Sequence, residues 1–128
     1  GSGNVLVGVH DGVRPLVSIE TIRLCYERAK EYGAVVPVTP VVESVRRITH
    51  LGNVPEDRSC LRLVQTPQVF RLSLLKKAYA QSFDSKFTDD ASVVETLGQP
   101  IHLVTGNREN IKLTTPFDLT IADVLLKR

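Results

Sequence analysis

The sequence predicts an α/β fold built on a βαβ unit with a parallel sheet, and three observations carry that expectation. The first is the apolar run Val5-Leu6-Val7-Gly8-Val9, which reads as a buried strand and runs straight into His10-Asp11-Gly12-Val13-Arg14-Pro15. The second is a helix signal through Tyr32, with Ser18 as N-cap and Gly33 as terminator. The third is another apolar run, Ala34-Val35-Val36-Pro37-Val38, short enough to be a strand. Two strands flanking one helix require a crossover, and a crossover makes them parallel.

Each element has its own justification. Ile22, Cys25, Tyr26 and Ala29 recur at helical spacing and give the first helix one apolar face. Pro37 lacks an N–H, which points the second strand to an irregular or edge position. From Thr39 to Leu63 the pattern changes: Val42, Val45 and Ile48 alternate poorly with Glu43, Arg46 and Arg47, and Gly52-Asn53-Val54-Pro55 is turn chemistry. That stretch is too long for an ordinary connection and too polar for core. It reads as a two-stranded arm over residues 39–65. An isolated hairpin is marginal in water, so the arm is expected to rest on a second subunit.

Beyond the arm, Thr66-Pro67-Gln68 is a turn and a helix runs from about Ser73 to Gln81. Thr88-Asp89-Asp90 opens another helix, with Val93, Val94 and Leu97 inward and Gly98 at its end. Ile101 to Val104 is a short strand, followed by an Ile111-Lys112-Leu113 alternation that reads as strand with an outward lysine. In Thr115-Pro116-Phe117-Asp118, Thr caps, Pro fits the first helical turn and Asp completes an acidic capping box. Leu119, Ala122, Leu125 and Leu126 are the expected buried stripe of that last helix. No repeat, low-complexity segment or domain boundary interrupts the chain.

Composition bounds the function. A chain of 128 residues is at most one domain, burying roughly two-thirds of its unfolded surface. With 42% hydrophobic and 23% charged residues it is of ordinary globular composition. The net charge of +2 is small, the basic residues are scattered apart from Arg46-Arg47 and Lys76-Lys77, and Trp is missing. Nucleic-acid binding is therefore not expected. No apolar stretch approaches the roughly 20 residues of a membrane helix, so no membrane partner is expected. Cys25 and Cys60 have no metal-ligand spacing and read as free thiols of a cytoplasmic protein.

Four polar clusters stand at element ends: Asp11 with Arg14, Arg58 with Thr66-Pro67-Gln68, Thr88-Asp89-Asp90, and Asn110-Ile111-Lys112. In open α/β sheets ligands bind beyond the carboxyl ends of strands, which makes the loop after Val9 a site address. An acid and an arginine three residues apart suit a ligand carrying a hydroxyl or metal together with an anion. Plain structural readings stand beside these. Asp11 and Arg14 pair with each other on the surface, Thr88 and Asp89 cap a helix, and Thr66 shapes a turn. His10, His50 and His102 share no metal or triad spacing and read as structural or exposed. No Ser or Cys sits in a nucleophile elbow.

Taken together, HDGVRP, the TPQVF run after an arginine-bearing arm, FTDDAS and ENIKLTTPFDL go further. Their order resembles the 2-C-methyl-D-erythritol 4-phosphate cytidylyltransferases of the non-mevalonate isoprenoid pathway, from about Val5 to Leu126. The resemblance implies a Rossmann-like nucleotidyltransferase fold of the GT-A type, incomplete here, with a projecting β-arm. It implies transfer of a cytidylyl group from CTP to the sugar phosphate, with pyrophosphate leaving and Mg²⁺ or another divalent cation assisting. Such chemistry is positioning and charge neutralisation, which accounts for the absence of a triad.

Carried over position by position, the resemblance makes Arg58 and Lys112 the catalytic cations. It makes Asp11, Arg14, Ser44, Thr66 and Thr88 substrate contacts, with Asp11 also a candidate metal ligand. Ser44 stands where the family often has Thr, and Glu43 where it often has Asp. The family's arm crosses a homodimer, so Ser44 and Arg58 would serve the partner's site. The family also begins with a glycine-rich basic loop that cradles CTP, and Gly1-Ser2-Gly3 carries neither Lys nor Arg. The expectation is the C-terminal portion of a cytidylyltransferase, inactive alone. Two rivals are a ribitol-5-phosphate cytidylyltransferase and a non-catalytic sugar-phosphate-binding or dimerisation module. Arg58, eight residues before Thr66, and the basic arm around Ser44 favour the methylerythritol enzyme over the first.

Overall fold

A computed structural model describes residues 5–80 and 89–127. Its elements are β1 (Leu6–Val9), α1 (Ile19–Tyr32), β2 (Ala34–Pro40), β3 (Arg46–Thr49), β4 (Gly52–Pro55), β5 (Arg62–Val64), β6 (Gln68–Arg71), α2 (Leu72–Tyr79), α3 (Asp90–Glu95), β7 (His102–Thr105) and α4 (Pro116–Leu126). A 3-10 turn at Arg58–Cys60 precedes β5.

The sheet is mixed rather than parallel. β6 lies between β1 and β2 and is antiparallel to both, while β2 pairs in parallel with β7. The crossover through α1 therefore skips one position: β1 and β2 run the same way but are not neighbours. Among the described residues β1 pairs with β6 alone, and it is half-buried, not the buried strand its composition suggests.

Pro37 is not at an edge either. β2 is central, bordered by β5 and β6 along one side and by β7 along the other. On the first side the pairing shifts from Val35↔Val69 to Val38↔Val64, so that β5 and β6 are two pieces of one interrupted strand. The Pro37 carbonyl accepts from the Gln65 N–H at this break (2.9 Å). A strand residue directs its N–H and C=O to the same side, so the donor that proline lacks falls where the ladder is already open.

Alternation along β2 divides the core. Ala34, Val36 and Val38 join Phe70, Ala78, Val93 and Val94 beneath α2 and α3. Val35 joins Cys25, Ala29, Val69 and Val104 beneath α1. The body is thus a helix, a sheet and two further helices in three layers. Gly8 leaves room for the Tyr26 hydroxyl, which a Cβ at this position would overlap.

Local signals set the helix ends. Ser18 accepts from the Thr21 N–H, and Gly33 closes α1 at φ 83°. Thr115 and Asp118 form the reciprocal capping box of α4. The α4 stripe differs from expectation: Ala122 is buried and Leu125 half-buried, but Leu119 and Leu126 are exposed. This helix is apolar nearly all round, so spacing alone could not select the narrow side that packs.

Of residues 39–65, the first two and 62–64 belong to the body sheet. Between them β3 and β4 form a separate two-stranded sheet in which every residue is exposed.

Candidate functional site

Three chain segments converge beside the break between β5 and β6: the loop after β1, residues 65–67, and the loop after β7. At the register fault the Gln65 N–H still holds Pro37, while the side chains of Gln65 and Thr66 turn to the neighbouring loops. Thr66 Oγ1 accepts from the Asp11 N–H (3.0 Å) and lies 3.0 Å from His10 Nδ1. His10 Nε2 lies 2.9 Å from the Arg14 carbonyl, and the Arg14 N–H donates to the Asp11 carbonyl (3.0 Å). The six residues from His10 to Pro15 are therefore folded back on themselves and pinned to Thr66.

The loop after β7 completes the cluster. Lys112 Nζ lies 3.5 Å from Asp11 Oδ2. Arg14 Nη1 donates to the Asn110 carbonyl (2.8 Å). Asp11 and Arg14 thus do not pair with each other; each reaches across to the 110–112 segment. That segment is not a strand: it is irregular, held by the Leu113 N–H donating to the Val13 carbonyl (2.8 Å). Asn110 is fully buried, donating to the Thr66 carbonyl (2.8 Å) and to Gln65 Oε1 (3.3 Å). Gln65 in turn donates to the Asn107 carbonyl (2.9 Å). Asn107 accepts from the Ser18 N–H (3.1 Å) and the Thr21 hydroxyl (3.0 Å), tying the loop to the start of α1. Gly106 is part of this close packing, since a Cβ there would overlap Gln65 Oε1.

An open cleft of about 320 Å³ lies here, lined among others by Arg14, Thr39, Gln65, Arg108, Asn110 and Lys112. Three of these are cations, and Asp11 is the acid paired with Lys112. The Asp11 carboxyl is held below the usual carboxylate range, first by the Val13 N–H; burial opposes this, and Lys112 and then Arg14 add to the lowering. The arrangement suits an anion that also carries hydroxyl groups.

The remaining expected site residues are elsewhere. Ser44 and Arg58 are exposed on the arm, and Arg58 Nη1 donates to the Val42 carbonyl (2.5 Å) within it. Thr88 lies outside the described residues. Its neighbour Asp89 caps α3 through the Ser92 N–H (2.8 Å) and accepts from Gln68 Nε2 (3.1 Å). Burial pushes the Asp89 carboxyl up, and the Ser92 and Gln68 hydrogen bonds outweigh it, leaving it below its ordinary value. Among the described residues, no group of three or more His, Cys, Asp or Glu is placed to hold a metal ion. Within them, Asp11 sets a carboxylate against Lys112 beside the cleft without a preassembled protein cage around it.

Sequence reasoning passed over Gln65, Asn107 and Arg108 and gave Asn110 no role. Only Asn110 had a local signal, as a polar residue beside a candidate lysine. The others acquire meaning only from the loops brought against them.

Fold and site together define an α/β protein with a cationic cleft at the ends of its strands. Residues 2–128 match the family model described as IspD, 2-C-methyl-D-erythritol 4-phosphate cytidylyltransferase, and the chain belongs to that family. A 2-C-methyl-D-erythritol 4-phosphate cytidylyltransferase from Bacteroides thetaiotaomicron is 60% identical over 121 residues, covering 94% of this chain and 55% of the relative. One of the same name from Phocaeicola vulgatus is 60% identical over 124 residues, covering 97% of this chain and 57% of the relative. A crystal structure of 2-C-methyl-D-erythritol 4-phosphate cytidylyltransferase from Thermus thermophilus superposes with a TM-score of 0.87 at 38% identity, over 96% of this chain and 62% of that one. The chain thus spans a little over half the length of the curated relatives it matches. Among the described residues, no helix is long and apolar enough to cross a membrane.

Proposed function

We propose that this chain supplies the sugar-phosphate half of a cytoplasmic cytidylyltransferase site. The complete enzyme would join CTP to 2-C-methyl-D-erythritol 4-phosphate, giving CDP-methylerythritol and pyrophosphate. The observation that carries this reading is the linked cluster of Asp11, Arg14, Thr66 and Lys112, with Arg14 and Lys112 lining the adjoining cleft, in a member of this family.

In the reaction a phosphate oxygen of the sugar phosphate attacks the α-phosphorus of CTP. The attack brings two anions together, and fixed cations lower its barrier by holding the nucleophile and offsetting the charge. Lys112, steadied by Asp11, would serve as a movable point charge on the phosphate, and Arg14, anchored on Asn110, as a fixed one. Mg²⁺ would neutralise nucleotide phosphates. Such an ion leans mainly on phosphates and water and needs few carboxylates, so Asp11 is the residue that would hold it. Thr88 would be a further hydroxyl contact.

The arm is read as the dimer element. Its exposed Ile48, Val54 and Leu51 would pack on a second copy, carrying Ser44 and Arg58 to the partner's cleft. Titration of the purified chain with 2-C-methyl-D-erythritol 4-phosphate by calorimetry tests the reading. Binding that is lost or weakened at least tenfold in Lys112→Ala is expected. Equal binding by the variant, or tighter binding of ribitol 5-phosphate, would refute the assignment.

A further inference from the structure

We propose that His10 is a positioning residue that fixes the direction of the Thr66 hydroxyl, making Thr66 an acceptor for a substrate hydroxyl and not a donor to its phosphate. The proposal rests on the sugar-phosphate reading of the cleft and sharpens it.

The Arg14 carbonyl oxygen can only accept a hydrogen bond, and it lies 2.9 Å from His10 Nε2. The hydrogen of the neutral imidazole is therefore on Nε2, and Nδ1 is a bare acceptor. Facing Nδ1 at 3.0 Å is Thr66 Oγ1, whose hydroxyl must be the donor. A threonine hydroxyl has one hydrogen and two lone pairs. The hydrogen goes to His10, and one lone pair takes the Asp11 N–H at 3.0 Å. One lone pair is left for a ligand.

That single vacancy has a chemical sign. A sugar hydroxyl can donate to it, whereas a phosphate oxygen finds only another acceptor and is repelled. Phosphate must turn to Lys112, Arg14 and Arg108, all lining the cleft. Thr66, on the loop beside the cleft, and the cations that line it thus offer two dissimilar partners, and a sugar phosphate reaching both has one orientation that satisfies them. His10 sets this polarity without itself touching the ligand, acting through the chain Arg14 carbonyl, imidazole, Thr66.

Two-bond ¹H–¹⁵N correlation spectra of the ¹⁵N-labelled chain at pH 8 read the tautomer directly, with His10 assigned by the signals lost in His10→Asn. The Nε2–H form is expected, with Nδ1 moving toward a free-nitrogen shift in Thr66→Val. The Nδ1–H form overturns the proposal, and so does an Nδ1 resonance indifferent to Thr66→Val. This readout needs no ligand, so it stands whether or not the sugar phosphate binds. In calorimetry, Thr66→Val should weaken 2-C-methyl-D-erythritol 4-phosphate about tenfold, the loss of one hydrogen bond. It should leave inorganic phosphate unchanged, and Thr66→Ser should restore the sugar phosphate. Equal weakening of both ligands means that Thr66 donates to phosphate and refutes the proposal. A wild-type chain that binds neither ligand refutes the functional reading instead, and the tautomer then decides the role of His10.

Discussion

β2 and β3 are both short strands, yet they belong to different kinds of structure. β2 buries its first five residues between strands on both sides, with helices above and below. Every residue of β3 is exposed, and Ile48 retains 81% of its surface. The body is stabilised by its own packing; the arm has its hairpin ladder and a polar surface of Arg46, Arg47, Asn53 and Glu56. Residues that must be rigid are accordingly in the body, where Asn110 and Gln65 lock the cleft. Ser44 and Arg58 are on the exposed arm.

That contrast can be broken most severely from the body side. Phe70→Ala empties a fully buried position in the central sheet and should cost about 3–5 kcal/mol, read from the midpoint of urea unfolding. A loss under about 1 kcal/mol would mean that the layers are less tightly packed than described. Next in size is Arg58→Ala in the complete enzyme. It should lower kcat/KM on the order of a hundredfold while leaving unfolding unchanged, as removal of a charge-stabilising donor does. Near-wild-type kinetics would remove the arm from the site.

Acid tests the caps of the body. The Asp118 carboxyl is held below its ordinary value, first by the Thr114 N–H and further by Thr115. A depressed folded value means a contribution present above the unfolded carboxylate value of about 3.9 and lost as pH falls through the lower folded one. Asp118→Asn should therefore reduce stability at neutral pH and flatten the decline on acidification. An acid limb superimposable on that of wild type would contradict the assignment. Smallest of all is Ile48→Ser, expected to change the stability of a single copy by less than about 0.5 kcal/mol because its side chain stands exposed. Its effect should appear only in the oligomeric state seen by sedimentation, and a large loss in the unfolding midpoint would show that the arm is part of the body after all.

How far the sequence reveals this molecule depends on the range of the interaction concerned. Ser18, Gly33 and Thr115 act on groups within four residues, and the helix ends they predict are the ones observed. Sheet order depends on pairings far apart in the chain, so the insertion of β6 between β1 and β2 could not be read from the βαβ signal. Pro37 misled because proline announces a missing donor but not the side on which it is missing. In the site, Asp11 and Arg14 were legible as a pair from their strand-end position, but their partners Lys112 and Asn110 come from the far end of the chain. The family resemblance supplied Lys112; nothing local distinguished Gln65 or Asn107.

The two cysteines fall on opposite sides of the divide between body and arm. Cys25 is sealed beneath α1, where burial pushes its thiol up to about 11, while Cys60 is exposed at the base of the arm. A thiol-selective fluorophore at neutral pH should therefore mark the native chain at one address, without any substitution. The label would sit on the same 3-10 turn as Arg58, a built-in reporter of whether that segment meets water or another surface.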